Sequence, residues 1–306
     1  MEFNRTAYRG YLVRGDLPGA MAYVKGFPEQ AGLYEKFRAR FEEERYDVYD
    51  GDEAFDKILL CYQRYYRNTF YLRLDRSEAE DRLRAGLARA LGMADTVPLD
   101  ELEEERAADV FRRKGFHFQG GRTSGWYGPY IWSVTERRTF EVELPDGLES
   151  YTVNLLDGFI SRSWLDYLSF GETGTGGWTD GDGVIHCVRS AYDLAGEDFQ
   201  VSLLKHEAQH ARDLARKPGL PSEDLEYRAK LVELIYSSRR NLLERFVREA
   251  DGADRRNGHA AASCRIVEGI SRLLGHNAGE AAALPADQIQ SAARTLFEES
   301  GGLLEQ

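Results

Sequence analysis

Cysteine is scarce. The chain has three in 306 residues, Cys61, Cys187 and Cys264, widely spaced and odd in number. No disulfide framework and no C-x-x-C metal knuckle follows from them. Long apolar runs are missing as well. Nothing approaches the length of a transmembrane span, and residues 1–15 lack the apolar stretch of a secretory signal, so a cytoplasmic protein is expected. Basic charge is in short supply: 40 Lys and Arg stand against 52 Asp and Glu, a net charge of −12. That argues against nucleic acid and against an anionic membrane as main partners. Histidine is rare too, with six in the chain. There is no internal repeat, and compositional bias is confined to residues 171–183, which hold six glycines and read as a loop.

What remains is ordinary globular material, 42% hydrophobic and 30% charged, enough for one large domain or two small ones. Residues 1–114 read as mainly helical. Helical spacing places Phe55, Ile58, Leu59 and Tyr62 on one side of a helix over 52–71, and Leu83, Leu87 and Leu91 on another over 77–91. Ser77 and Glu80 have the spacing of a capping box. Residues 99–114 form a further, highly charged helix. The pattern changes at Gly115. Residues 116–121, 126–132, 139–144, 151–156 and 184–188 are aromatic or alternating and strand-like. Helices return at 199–217, 222–249 and 260–299; Asp198 and Ser222 are the expected caps of the first two, and Asp251-Gly252 ends the second. The expected fold class is α+β: a helical region over 1–114, then a second domain over 115–306. The latter has an antiparallel or mixed sheet at 115–190 beside the helix at 199–217.

That helix carries Leu203-Leu204-Lys205-His206-Glu207-Ala208-Gln209-His210-Ala211-Arg212-Asp213, one H-E-x-x-H. His206 and His210 lie one turn apart on one face. Two such imidazoles can hold a Zn²⁺ ion, and Glu207 beside them can take a proton from water. Leu204, Ala208, Ala211 and Ala215 make an apolar stripe next to the histidines. The imidazole pair therefore borders buried surface, where it needs partners.

A catalytic zinc commonly has three protein ligands. The extension H-E-x-x-H-x-x-G-x-x-H fails here, because Asp213 and Arg216 stand where the glycine and the third histidine would be. A carboxylate from the next helix is the alternative. The turn Pro218-Gly219-Leu220-Pro221 folds that helix back, and Glu226 comes early on it; Glu223 and Glu233 are the competing acids. Asp213 shares the ligand face and is the candidate to accept a hydrogen bond from a ring nitrogen or to pair with an arginine. Cys187, on the strand before the motif, reads as core.

With His206, Glu207, His210 and a downstream Glu226 in E-Y-R-A-K-L, residues 171–240 resemble the zincin metallopeptidases, and within them the gluzincins. The downstream element departs from the common N-E-x-x-S-D form, since Lys230 stands four residues after Glu226. The resemblance implies a zinc peptidase in which Glu207 is the general base. It also implies a sheet edge above the motif helix that holds the peptide as an added strand, at residues 183–187. Tyr227, Tyr236, Arg239, His259 and His276 are the available donors to an oxyanion. The expected partner is a peptide or protein substrate. Two other readings compete: a zinc hydrolase of non-peptide amides, and a zincin-like binding module with little catalysis.

Overall fold

The computed structural model describes residues 2–49, 51–179, 183–239, 241–250 and 258–305. The protein is α+β. It divides into two compact units, residues 1–134 with 158–175 and residues 135–157 with 176–306.

The first unit is a helical body with small sheets. Its helices include Arg5–Val13, Leu17–Lys25, Ala31–Phe37, Glu53–Tyr66 and Arg76–Leu91. Asp52 caps Glu53–Tyr66, accepting from the Ala54 and Phe55 amides at 3.1 Å. The helix Arg76–Leu91 starts differently from the expected capping box. Asp75 accepts from the Ser77 amide at 2.9 Å, while Glu80 is taken by Arg76 and Arg122. The core is markedly aromatic, with Tyr8, Phe37, Phe41, Phe55, Tyr62, Tyr65, Tyr66, Phe70 and Phe111 all buried. Residues 115–134 belong here and not with the sheet beside the motif. His117–Gln119, Tyr130–Trp132 and Ser161–Arg162 form one small antiparallel sheet, and Arg122–Thr123 pairs with Trp126–Tyr127 in another. Their aromatic side chains explain the placement: Phe118 stacks on Phe111 at 5.1 Å and Tyr127 meets Tyr65 edge-on at 6.4 Å.

The second unit packs helices on a four-stranded sheet. The strands run in the order Val134–Leu144, Gly147–Asp157, Ile185–Val188, Gly177–Thr179. The first two are consecutive, joined by the short turn at Pro145-Asp146. Ile185–Val188 lies parallel to Gly147–Asp157, with Val153 opposite Ile185, and antiparallel to Gly177–Thr179. Two expectations change. The glycine-rich segment is not all loop, since Gly177–Thr179 is a strand within it. And the sheet edge is that strand, not residues 183–187, which lie one place further in. Gly177 is needed there. A Cβ on it would collide with Leu203 and come within 2.6 Å of the His186 carbonyl, so only glycine lets the edge strand approach. Trp178 then stacks on His186 at 5.1 Å.

Behind the sheet, Glu197–Phe199 leads through a π-helical turn, Gln200–Lys205, into the motif helix His206–Arg216. Asp198 does not cap it; Gly196 precedes the first turn, and Asp198 pairs with Arg239 at 2.5 Å. The chain turns at residues 218–221, with Gly219 at φ +82°, and returns as the helix Ser222–Tyr236. Pro221, not Ser222, occupies its capping position. This return helix is buried continuously from Glu226 to Ile235. It ends thirteen residues before the expected stop at Glu249, because Ser237 and Ser238 leave the helix to bond Glu197; the Ser237 hydroxyl lies 2.5 Å and the Ser238 amide 3.1 Å from its Oε1. A separate helix, Leu242–Glu249, follows, and Gly258–Leu274 and Ala286–Glu299 close the unit. The expected break at Asp251-Gly252 lies outside the described residues. Val142, Val153, Ile185, Leu203, Ala208, Leu231, Ile266 and Leu296 share one core. Among the described residues no helix is long and apolar enough to cross a membrane.

Candidate metal centre

The motif helix and the return helix face each other within the second unit, and their polar side chains meet. His206 and His210 have ring centroids 4.5 Å apart, as their one-turn spacing dictates. Ligand atoms of His206, Glu207 and His210 all lie within 4.8 Å of one another. Glu226 spans both rings from the facing helix: Oε2 is 3.5 Å from His206 Nε2, and Oε1 is 3.8 Å from His210 Nε2. Glu226 thus sits where both ε nitrogens point. Glu207 approaches His210 from its other nitrogen, with Oε2 3.5 Å from Nδ1.

His206, Glu207 and Glu226 are each held by a further contact. His206 Nδ1 donates to Glu233 Oε1 at 2.8 Å. This fixes the ring so that Nε2 turns toward Glu226. Glu226 and Glu233 are seven residues apart, yet a single imidazole bridges them, one carboxylate at each nitrogen. The Thr179 hydroxyl, on the edge strand, donates to Glu207 Oε2 at 2.8 Å. His259, at the start of the helix Gly258–Leu274, brings Nδ1 to 2.9 Å from Glu226 Oε2.

Charge follows this geometry. Burial disfavours the His206 imidazolium, but the carboxylates of Glu226 and Glu233 outweigh it and raise the ring well above the usual histidine range. Burial likewise pushes Glu226 up, and His206, His259 and His210 more than reverse it, holding the carboxyl far below the usual range. Glu207 is lowered in the same way: burial opposes, and His210, His206 and Thr179 prevail. Glu207 is therefore a carboxylate at neutral pH.

The residues suit a zinc ion. His210 Nε2 is buried and finds no hydrogen-bond partner among the described residues, an expensive arrangement for a polar atom unless something else binds it. Two imidazoles and a carboxylate are a common zinc donor set. Two ligand atoms on a tetrahedral zinc stand roughly 3.3 Å apart, given bonds of ~2.0–2.1 Å, and the 3.5 and 3.8 Å separations here are close to that.

The other sequence candidates sit elsewhere. Asp213 is fully buried and bonds Arg228 Nε and Gln209 Nε2, each at 2.8 Å. It pairs with an arginine and ties the two helices together, and Glu233 takes the role of orienting His206. Glu223 stays in the first turn of its helix. Of the possible oxyanion donors only His259 reaches the site. Tyr227 lies under Arg265 at 3.9 Å, Tyr236 under Lys205 at 3.9 Å, Arg239 pairs with Asp198 and His276 with Glu280. Cys187 is core, its thiol pushed up to about 12 by burial. Thr179 lies in a glycine-rich segment that reads as loop from the sequence alone. Glu233, a competing metal ligand by sequence, shares a helix face with Glu226 through their seven-residue spacing. Comparison of the chain with protein-family models, with curated proteins and with solved structures gave no match.

Proposed function

We propose that the second unit is a zinc-dependent metallopeptidase of the gluzincin type. The observation that carries this reading is the convergence of the Glu226 carboxylate on the ε nitrogens of both motif histidines. His206, His210 and Glu226 would hold the ion, and zinc held there supplies Lewis acidity toward water and a carbonyl oxygen. Glu207, ionised and steadied by Thr179, accepts the proton of the attacking water and delivers it to the leaving amine. Glu233 accepts from His206 Nδ1, so with an ion bound the other ring nitrogen, Nε2, would be the ligand. Among the described residues the edge strand Gly177–Thr179 has a sheet neighbour on one side, so its other side can pair with an extended peptide. Because Thr179 belongs to both the edge strand and the Glu207 contact, a peptide laid along that strand passes beside the base.

Two measurements test the reading. Purified protein is expected to contain one zinc per chain, and His206→Ala or His210→Ala to lose most of it. Glu207→Gln is expected to keep metal and fold but to lose peptide cleavage by ~10²–10⁴-fold. Protein without stoichiometric metal, or equal cleavage of a peptide library by wild type and Glu207→Gln, would overturn it.

A further inference from the structure

Beside the motif lies a cleft of about 330 Å³ whose lining includes Tyr192, His206, Glu207, Lys230, Arg245 and Glu249. That volume is at the small end for ligand sites and suits a short segment better than a long chain. The charges in it are unequal in how well they are matched. His206 lies between Glu226 and Glu233. Lys230 is buried and bonds Glu249 Oε2 at 2.6 Å and Ser263 Oγ at 2.9 Å. Glu207 is engaged by Thr179 and His210. Arg245 differs. Its side chain is 52% exposed, and among the described residues its ion pair is a long one, Nη2 to Glu233 Oε2 at 3.6 Å. Glu233 in turn touches His206 with its other oxygen at 2.8 Å. The guanidinium is thus separated from His206 by a single carboxylate, and it lines the cleft with half of its side chain exposed.

The geometry points to Arg245 as the residue that selects the substrate, by pairing with a carboxylate that lies about one or two residues from the scissile amide. The inference rests on the peptidase reading and adds a substrate class to it. A guanidinium fork matches a carboxylate with two parallel hydrogen bonds, and such charge-assisted pairs are stronger than neutral ones. Arg245, His206 and Glu207 line the same cleft, and an extended chain advances roughly 3.5 Å per residue, so an amide one or two residues from an anion seated on Arg245 can reach toward His206 and Glu207. A terminal α-carboxylate or an acidic side chain offers this chemistry equally, and an amidated, uncharged end does not. A substrate ammonium finds a poorer reception, since Glu249 is already taken by Lys230 and Ser263.

Binding tests this without relying on turnover. Full-length Glu207→Gln protein, as purified and with its zinc content measured, is titrated calorimetrically with three probes: N-acetyl-dialanine, its C-terminal amide, and N-acetyl-alanyl-glutamate amide with blocked α-carboxyl. At least about tenfold tighter binding is expected for a carboxylate-bearing probe over the uncharged amide. Tighter binding of the first probe identifies an α-carboxylate, and of the third a side chain. Adding Arg245→Gln is expected to bring the ratio to about one, and Arg245→Lys, which keeps the charge but not the fork, to an intermediate value; thermal unfolding checks that both variants fold. Equal affinities for all three probes, or a preference that survives Arg245→Gln, overturns the assignment and leaves the peptidase reading standing. A preference that Arg245→Gln removes, in a protein whose wild type cleaves no peptide, sinks the peptidase reading and leaves Arg245 as the anion-binding residue.

Discussion

The two units bury charge very differently. Among the described residues the first buries one Asp, Glu, His, Lys or Arg side chain, Glu103, beneath an aromatic core. The second buries eight: His206, Glu207, Arg212, Asp213, Glu226, Arg228, Lys230 and Glu233. All eight lie on two facing helices. Removing a charge from water costs several kcal/mol, and a well-made pair often only breaks even. So many buried charges are a poor way to stabilise a small body of helices on a sheet. Some compensate one another fully, as Asp213 does with Arg228 and Lys230 with Glu249. Those around His206 and His210 do not, for His210 Nε2 is left over. The first unit keeps nearly all of its charge out of the core. The second departs from that pattern along one helix–helix contact, and there the polar groups converge on a point.

The sharpest way to break the contrast is at its structural part. Asp213→Ala leaves Arg228 buried without its carboxylate and should cost about 3–5 kcal/mol, read by chemical denaturation; replacing both members with apolar residues of similar volume should cost much less. If Asp213→Ala alone is silent, the buried pair is not holding the two helices. A smaller effect is expected where the contrast is functional. Glu233→Gln can still accept from His206 Nδ1 but carries no charge. It should weaken zinc affinity by ~10–100-fold, measured by competition with a chelator, and leave the fold unchanged. Unaltered affinity would separate Glu233 from the proposed metal site.

The remaining prediction belongs to the first unit. Burial pushes the Glu103 carboxyl up to about 7, against the opposing bonds from the Tyr62 hydroxyl and the Gly121 amide. The folded form therefore keeps its proton after the unfolded chain has lost it. The stability this confers is complete below about pH 4.5 and is lost as pH rises toward about 7. Unfolding free energy should fall across that window by at most ~1.4 kcal/mol per pH unit, and Glu103→Gln should remove that part of the slope. Parallel pH profiles for wild type and variant would show that this lone buried charge is not a stability element.

Legibility in the sequence tracked distance along the chain. The motif helix was readable because His206 and His210 are fixed by a local periodicity. The position of Glu226 opposite the two histidines was readable because the Pro218–Pro221 turn leaves little freedom in how the next helix returns. Reach between side chains across that return was not. Glu226 and Glu233 lie seven residues apart, about 10 Å along the helix axis, and a ring with two nitrogens and two long carboxylate arms closes that gap. The edge strand was hidden for a related reason. Glycine at 177 answers a long-range contact with Leu203 and His186, and local propensity reads it as loop. The aromatic strands of 115–134 were recognised as strands, but their alternation does not say which core their faces meet. The end of the helix at Tyr236 depends on Glu197, forty residues upstream of Ser237, a partner no window of helical periodicity includes.

The division of the chain carries a consequence for how the protein is made. The peptide passes between the two units at residues 134–135, 157–158 and 175–176. Neither unit is therefore one continuous stretch. During synthesis the hairpin Val134–Asp157 emerges before Ile185–Val188, its sheet neighbour, and well before His206–Arg216 and Ser222–Tyr236, whose side chains complete its core. Its apolar face, with Val142, Val153 and Leu155, has to wait, and waiting apolar strands are the species that aggregate. A fragment that starts at residue 115 inherits strands whose helical partners have been cut away. A fragment that starts at 176 loses half of its sheet. The motif-bearing unit can be isolated only by joining residues 135–157 to 176–306 through a new connection across the gap left by 158–175.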